Sequence, residues 1–253
     1  MRESTWEFDA TRARLLGDPL DGRLELTSPA EGLTGIRLGG ADWIDARLLG
    51  LDWQTPVPIG PDALIERFCR GGDLVAAYGE TANHPVRVDA VWRARRPSSR
   101  AGLLAAVELI VSVETSLLDA LPALAVQSRM EACETLYLRN VATGVFQPIS
   151  LSANSALSLP SPEGVDCVVL RVHGQRPSYV EMVHPLECPR GELRCPTEHG
   201  RVQLTHRLFS QHLEKGVILR SRVRGLWVPR ADDLEVAAES FREFAASEPP
   251  LGG

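Results

Sequence analysis

Apolar and polar residues alternate with a period of two through most of this chain. In residues 107–114 every odd position is apolar, whereas Glu108, Ser112 and Glu114 fall on even positions. Residues 86–93 alternate in the same way, with Arg87 and Asp89 on the polar side. Because successive side chains of a strand point to opposite faces of a sheet, this period predicts strands with one buried face. Glu108 is therefore expected on the outer, polar face.

Eleven further segments have the composition or alternation of strands, and turns rich in Gly and Pro separate many of them. These segments are residues 23–27, 34–38, 64–70, 74–78, 124–130, 135–140, 146–152, 167–173, 178–184, 201–209 and 217–224. So many short strands between turn residues are typical of a large antiparallel β-sandwich. The sequence therefore predicts an all-β protein, a supersandwich with a short C-terminal helix.

The helix follows from a change of period near the C-terminus. Asp232 or Asp233 is placed to cap it, and Pro249-Pro250 ends it. An apolar stripe at helical spacing lies between them, formed by Leu234, Ala237, Ala238, Phe241 and Phe244. We expect this helix to cover an edge or an end of a sheet.

Length and composition limit the class of protein. A chain of 253 residues fits one all-β domain, 1–253, and no apolar stretch has the length of a membrane span. The first residues lack the apolar run of a secretory signal, so a cytoplasmic protein with reduced cysteines is expected. The net charge of -6 argues against nucleic-acid binding, which needs a basic surface.

None of the standard catalytic signatures occurs, so candidate residues come from strand geometry. If residues 201–224 form a hairpin, one face carries His206 among apolar side chains and the other is rich in arginine. That second face, with Arg207, Arg220 and Arg222, either is a solvated surface paired with glutamates or holds an anionic or hydroxylated ligand. His206 is either a buried structural histidine or a general acid.

Tyr179 and Glu181 share one face of the predicted strand at residues 178–184. A carboxylate beside a phenol serves either as a general base next to a stacking ring or as the ion-pair partner of an arginine. The spacing of His184, Cys188, Cys195 and His199 gives a third candidate, a tetrahedral zinc site. A cysteine pair across a hairpin explains the same spacing, so no metal is assigned.

Residues 31–45, with Gly35, a short hydrophobic strand and the Gly39-Gly40 turn, resemble the N-terminal segments of the galactose mutarotase-like β-supersandwich family. The resemblance covers most of the chain as architecture and only short stretches as motif. It implies a carbohydrate site on a concave sheet face, with a histidine as acid and a glutamate as base. His84 follows Asn83, as the family's catalytic histidine often follows an asparagine. The family's late glutamate signature is absent, which leaves Glu181 or Glu214 as the base.

The leading hypothesis is a carbohydrate-binding, mutarotase-like protein, with aldose epimerisation and an anionic sugar as open possibilities. A non-catalytic module that binds carbohydrate or protein, and a zinc-stabilised structural protein, are the alternatives. A small sugar is the expected partner, and no cofactor is expected. The expected catalytic residues are His206, Glu181 and His84, and the expected substrate-binding residues are Arg87, Tyr179, Arg207, Arg220 and Arg222.

Overall fold

A computed structural model describes residues 5–55, 59–95, 102–150, 152, 154–159, 167–174, 176–187, 190–195 and 200–248. These residues form 21 strands and one α-helix, with two short 3₁₀ turns. The strands are β1 (Thr5–Asp9), β2 (Arg12–Leu16), β3 (Leu20–Glu25), β4 (Thr34–Leu38), β5 (Ala41–Trp43), β6 (Arg47–Trp53), β7 (Leu64–Arg70), β8 (Asp73–Tyr78), β9 (Arg87–Arg95), β10 (Ala105–Glu114), β11 (Asp119–Ala120), β12 (Leu124–Glu131), β13 (Glu134–Asn140), β14 (Val145–Ile149), β15 (Ser155–Leu159), β16 (Cys167–Arg171), β17 (Ser178–Val183), β18 (Arg190–Cys195), β19 (Arg201–Leu208), β20 (Leu213–Glu214) and β21 (Leu219–Val228). The all-β prediction is confirmed.

Antiparallel pairing joins these strands into sheets. The N-terminal sheet has the order β1-β2-β3-β4-β5, and a large nine-stranded sheet has the order β14-β13-β16-β17-β21-β10-β9-β8-β7. A third sheet has the order β15-β18-β19-β12-β6, and β11 pairs with β20. The nine-stranded sheet therefore takes strands from both halves of the sequence.

One continuous apolar core lies between the sheets. It contains the odd residues of β10 and the even residues of β9, among them the fully buried Leu109 and Trp92, together with Leu51 of β6 and Leu204 of β19. The period of two thus placed the core face of β9 and β10 correctly. In the part of the chain that the structure describes, no helix is long and apolar enough to cross a membrane.

The single α-helix, α1 (Asp233–Ala245), packs on the outer face of the nine-stranded sheet. Its buried side chains Val236, Ala237, Ala238, Phe241 and Phe244 form a second apolar cluster with residues of β10, β13, β16, β17 and β21. The predicted stripe is therefore largely correct, but the helix covers a sheet face rather than an edge or end. A sheet covered on both faces needs apolar residues at consecutive positions, as in Met182 and Val183 of β17.

Two predicted placements are wrong for the same reason. Residues 201–224 do not form a hairpin, because β19 pairs with β12 and β18 whereas β21 pairs with β10 and β17 in the other sheet. Glu108 is fully buried rather than on a solvated face, and it accepts hydrogen bonds from Arg95 and Arg224. Local alternation gives the face of a residue. It shows neither which strands pair nor what packs on that face.

The first residue of α1 fixes the helix to the sheet. Asp233 is buried, and it accepts two hydrogen bonds from Arg171 of β16, at 2.8 and 2.7 Å, and one from Ser178 of β17. Burial by itself would raise the pKa of Asp233, but these donors outweigh it and hold the pKa below its ordinary value. The carboxylate form is therefore stabilised by folding.

We expect Asp233→Asn to lower the unfolding free energy by about 1.5–3 kcal/mol at neutral pH, because the charge-assisted bonds to Arg171 are lost. A depressed carboxyl pKa contributes stability above the unfolded-state value of about 3.9, and this contribution disappears as the pH falls through the folded-state value. The difference between wild type and variant should therefore shrink below about pH 4. Urea denaturation at several pH values measures this, and Asp232→Asn, at an exposed cap without a side-chain bond, should cost little. A pH-independent difference would contradict it.

Candidate functional site

The histidine and glutamate expected to act together do meet, in the core between two sheets. Glu181 of β17 and His206 of β19 have Oε1 and Nε2 2.8 Å apart. Tyr179 donates its hydroxyl hydrogen to the other oxygen, Oε2, at 2.7 Å, and Ser128 of β12 donates to the same atom. Both carboxyl oxygens of Glu181 are thus engaged by residues of both large sheets. We call these four residues, Ser128, Tyr179, Glu181 and His206, the buried polar cluster.

Irregular backbone holds the buried polar cluster in place. Ser128 lies where the register between β12 and β6 shifts, and its Oγ accepts a hydrogen bond from the backbone N–H of Leu49 at 2.9 Å. Leu49 has a φ of 54°, a conformation that branched side chains rarely adopt, and its carbonyl accepts a bond from Trp92 Nε1. The β-bulge therefore turns the serine towards the carboxyl group of Glu181.

The ring of Tyr179 fits only because a glycine lies beneath it. A Cβ on Gly225 of β21, the residue paired with Glu181, would lie 2.5 Å from the tyrosine hydroxyl. The ring also packs against Trp227, with ring centroids 5.3 Å apart. Burial, and then the nearby Glu181, raise the pKa of Tyr179 well above its ordinary value, so the phenol remains a hydrogen-bond donor.

The buried polar cluster is sealed from solvent. Tyr179, Glu181 and His206 are each 0% exposed and Ser128 is 2% exposed, so a dissolved sugar does not reach them in this structure. His84 does not join the cluster. It is also buried, beside the ring of Trp53, and its Nδ1 lies 3.4 Å from Thr55 Oγ1. The catalytic roles of His206, Glu181 and His84 stay predictions.

The arginines of β21 lie on the opposite face of the nine-stranded sheet from the buried polar cluster. Arg222 is only 2% exposed and is surrounded by acceptors: its Nε and Nη2 donate to Glu187, and its Nη1 donates to Ser247 and Glu248, which follow α1. Tyr179 and Arg222, both expected to bind substrate, therefore lie on opposite faces of the sheet. Tyr179 pairs with Trp227, so it shares a face with the odd residues of β21, whereas Arg222 lies on the face of the even residues.

Arg224 lies beneath α1 in the same way. Its guanidinium donates to Glu108 at 2.9 Å, and its carbon Cζ lies 4.1 Å from the centroid of the Phe244 ring. Burial lowers the pKa of Arg224 and would raise that of Glu108, but Arg224 and Arg95 together hold the Glu108 pKa below its ordinary value. The arginine face is thus paired with glutamates where the helix covers it.

Beyond the helix, the same sheet face forms an open groove of about 530 Å³ over β7, β8, β9, β10 and the start of β21. Its floor is apolar, with Val75, Val91 and Ile110, and Phe68 stands in its wall with 41% of its surface exposed. Its charged side chains are the guanidiniums of Arg70, Arg87, Arg93 and Arg220 and the carboxylates of Glu66, Asp73, Asp89 and Glu114. We call this feature the open groove.

Ion pairs fix several of these groups. Arg93 donates to both oxygens of Asp73 at 2.8 Å, and this pairing raises the pKa of Arg93 despite its partial burial. Arg87 donates to Asp89 at 3.2 Å and lies 3.6 Å from Glu114. Paired carboxylates and guanidiniums in a groove keep free lone pairs and N–H groups for a ligand.

Two of the five predicted substrate-binding residues, Arg87 and Arg220, line the open groove. Tyr179 lies in the core, Arg222 lies beneath the C-terminal residues, and Arg207 is exposed on a different sheet. No binding role was predicted for Phe68, Asp73 or Arg93. The alternation in residues 86–93, which puts Arg87, Asp89 and Arg93 on one face, was the available signal.

No protein-family model and no curated protein matches this sequence. Solved structures match it in shape. A galactose mutarotase-like protein from Lactobacillus casei has a TM-score of 0.61 at 8% identity, over 85% of this chain and 99% of that chain. A candidate mutarotase, YeaD, from Salmonella typhimurium has a TM-score of 0.57 at 10% identity, over 90% of this chain and 97% of that one. This chain has the galactose mutarotase-like fold.

A third match extends that fold to a larger protein. The α-N-acetylgalactosaminidase NagBb of Bifidobacterium bifidum, solved with GalNAc, matches with a TM-score of 0.52 at 12% identity, over 96% of this chain and 38% of its own length. The galactose mutarotase-like fold therefore occurs there as part of a longer chain. At such low identities these matches establish the fold and no activity.

The zinc set lies only partly within the described residues of this mutarotase-like fold. His184 follows β17 of the nine-stranded sheet and Cys195 ends β18 of another sheet, while Cys188 and His199 lie outside the described residues. Among the residues that the structure describes, no three His, Cys, Asp or Glu side chains are grouped to hold a metal ion. The zinc alternative stays a prediction.

We expect Glu181→Ala to lower the unfolding free energy by about 3–5 kcal/mol, because it leaves buried partners in both sheets without an acceptor. Glu214→Ala, at an exposed position of β20, is the matched control and should change it by less than about 0.5 kcal/mol. Equilibrium denaturation of both variants measures the difference. Equal effects would show that the cluster does not stabilise the fold.

Gly225→Ala should lower the unfolding free energy by about 1–3 kcal/mol, because its Cβ meets the Tyr179 ring in a packed core. Gly60 has an ordinary φ of -82°, and no atom lies within 4 Å of the position that a Cβ would take there, so Gly60→Ala is the control. Thermal unfolding should separate the two variants clearly. A neutral Gly225→Ala would mean that the ring does not occupy this position.

Proposed function

We propose that this protein binds a neutral carbohydrate in the open groove and does so without catalysing a reaction on it. The observation that supports this most is the combination of an apolar floor, the exposed Phe68 ring and fixed pairs such as Asp73–Arg93. Sugars present hydroxyl groups at their edges and C–H groups on their faces. A site with an apolar surface and a few well-positioned polar groups suits both.

Charge balance favours a neutral ligand. The described lining of the open groove carries four guanidiniums and four carboxylates, so it has no excess of cations to attract a carboxylate or phosphate. Arg222, one of the three arginines considered for an anionic ligand, already donates to Glu187, Ser247 and Glu248. A neutral saccharide, bound through bidentate bonds to Asp73 and Arg93, fits this balance better.

The acid and base side chains lie in the buried polar cluster, whereas the accessible surface is the open groove; this difference supports binding without catalysis. The His206–Glu181 pair has the side chains of an acid and a base, but it is 0% exposed, and the His184–Glu187 pair is also almost completely covered. No histidine is among the described residues that line the open groove. Some solved proteins with this fold are described as mutarotases, and NagBb was solved with GalNAc. For this chain, we infer that the sugar-binding property is present and the catalytic one is not.

The test is titration calorimetry of the full chain with glucose, galactose, N-acetylgalactosamine and glucuronate. At least one neutral sugar should bind, and glucuronate should not bind more tightly. Asp73→Ala should weaken binding by about tenfold or more, because a charge-assisted hydrogen bond contributes about 1.5–3 kcal/mol. Arg207→Ala, on another sheet, should have no effect. Absence of heat for all four sugars, or equal effects of the two variants, would contradict the proposal.

A second function, aldose mutarotation, is kept because His206 and Glu181 lie within hydrogen-bond distance. It predicts that the protein accelerates the interconversion of α and β anomers of glucose or galactose, followed by polarimetry. Glu181→Gln, checked for folding by its thermal unfolding, would then abolish the acceleration. We expect no acceleration by the wild type. Acceleration that Glu181→Gln removes would replace the binding proposal by a catalytic one.

A further inference from the structure

β7 ends the nine-stranded sheet, and no described strand pairs with its outer side. Most of its residues are exposed, including Ile65 at 56% and Phe68 at 41%. Pro148 interrupts the row of backbone donors on β14, the strand at the opposite edge, whereas β7 has no proline. A long, exposed edge strand with apolar residues is a template for pairing with another chain.

Backbone groups on the outer side of β7 are placed for such pairing. The two-residue turn Gly71-Gly72 joins β7 to β8, so Arg70 and Asp73 close the hairpin as a hydrogen-bonded pair. Hydrogen-bonded pairs alternate along an antiparallel ladder, so Phe68 also bonds inward, to Val75. The N–H and C=O groups of Arg67 and Cys69 therefore point away from β8, towards the free edge.

We propose that β7 pairs antiparallel with β7 of a second copy of this chain, about a two-fold axis at Phe68. This pairing would join two nine-stranded sheets into one continuous sheet. It goes beyond the proposed carbohydrate binding and does not depend on it. The interface is of the isologous kind, in which the same residues serve both copies.

Charge complementarity selects this register. With Phe68 opposite its counterpart, Glu66 lies opposite Arg70 of the second copy, and Arg70 lies opposite Glu66, so two ion pairs flank a pair of phenylalanine rings. A shift that centres the axis on Arg67 or on Glu66 places like charges directly opposite each other, which is unfavourable. The sequence of β7 is thus self-complementary in one register.

Exposed aromatic residues concentrate beside this edge. Phe8 of β1, 40% exposed, lies against Arg67, with the guanidinium carbon 5.9 Å from its ring centroid. Phe8 and Phe68 are the two most exposed of the described Phe, Tyr and Trp residues. A second copy at β7 would place its own Phe68 beside this one and lie next to Phe8. Burial of apolar area adds to the strand pairing.

The pairing has a consequence for the open groove. Glu66, Phe68 and Arg70 line it from its β7 side, so two-fold pairing brings the open grooves of both copies together at the axis. Each copy then contributes side chains to one continuous surface. Such a surface suits an extended, repeating ligand better than a single ring.

Sedimentation velocity of the full chain tests the association. We expect a dimer, of twice the 27.6 kDa chain mass, that dissociates on dilution. Glu66→Arg should shift the equilibrium towards monomer by at least tenfold, and Glu66→Arg combined with Arg70→Glu should restore it. Glu214→Arg, at an exposed position elsewhere, is the control. A wild type that stays monomeric at all concentrations, or a dimer unaffected by Glu66→Arg, would overturn the proposal.

Disulfide trapping tests the register. Directly opposite residues of a non-hydrogen-bonded pair have Cα atoms about 4.5 Å apart, which lies within the range of a disulfide. In a Cys69→Ser background, Phe68→Cys should form a disulfide-linked dimer on mild oxidation, at a site located by peptide mapping. Ile65→Cys in the same background should not, since it faces Gly71 of the second copy. Equal linkage of both variants, or none for Phe68→Cys, would overturn the register, whatever the result of the sugar titrations.

Discussion

The carboxyl group of Glu181 has to be satisfied inside the core, and side chains of three strands in two sheets meet that requirement. A buried polar group without partners is costly, so each oxygen needs a donor at a fixed place. The hydrogen-bond partners come from β17 itself and from β12 and β19 of the facing sheet. The spacing and rotation of the two sheets are therefore specified by hydrogen bonds as well as by apolar packing.

Local irregularities follow from the same requirement. Three features depart from regular strand structure: the bulge at Ser128, the positive φ of Leu49 and the glycine at position 225. Together they bring a hydroxyl, a phenol and an imidazole to one carboxyl group. Irregular backbone is often taken as a sign of an active site. Here it has a sufficient structural cause, because it lies in a sealed core.

The outer face of the same sheet is divided by α1. Beneath the helix, Arg222 and Arg224 are paired with Glu187 and Glu108 and contact the ring of Phe244. Beyond it, the pairs of Arg93 with Asp73 and of Arg87 with Asp89 remain in contact with solvent. Ion pairs on this one sheet face therefore lie in two environments. They are buried beneath α1 and remain open to solvent beyond it.

The sequence allowed 13 of the 21 described strands and the helix to be predicted, because period two and the stripe ending at Phe244 are local properties. No predicted segment covers the mostly short strands β1, β2, β5, β11, β15, β18 and β20. β6 was missed, since its residues Leu48 to Leu51 are buried on both faces and do not alternate. The pairing of strands that are distant in the sequence could not be predicted either. The alternation in residues 217–224 correctly places Arg222 and Val223 on opposite faces, but nothing in it shows that β21 lies between β10 and β17.

In the candidate site, too, the sequence gives the type of each residue but not its surroundings. His206 and Glu181 have the side chains of an acid and a base, and their contact was not predictable from a chain separation of 25 residues. Proton transfer to a sugar requires that one of these groups touch it, or touch it through water. Both groups are fully buried in this structure, and burial strengthens the hydrogen bonds of Glu181 to His206 and to Tyr179. The pair thus links two sheets in this structure, and its catalytic role stays a prediction.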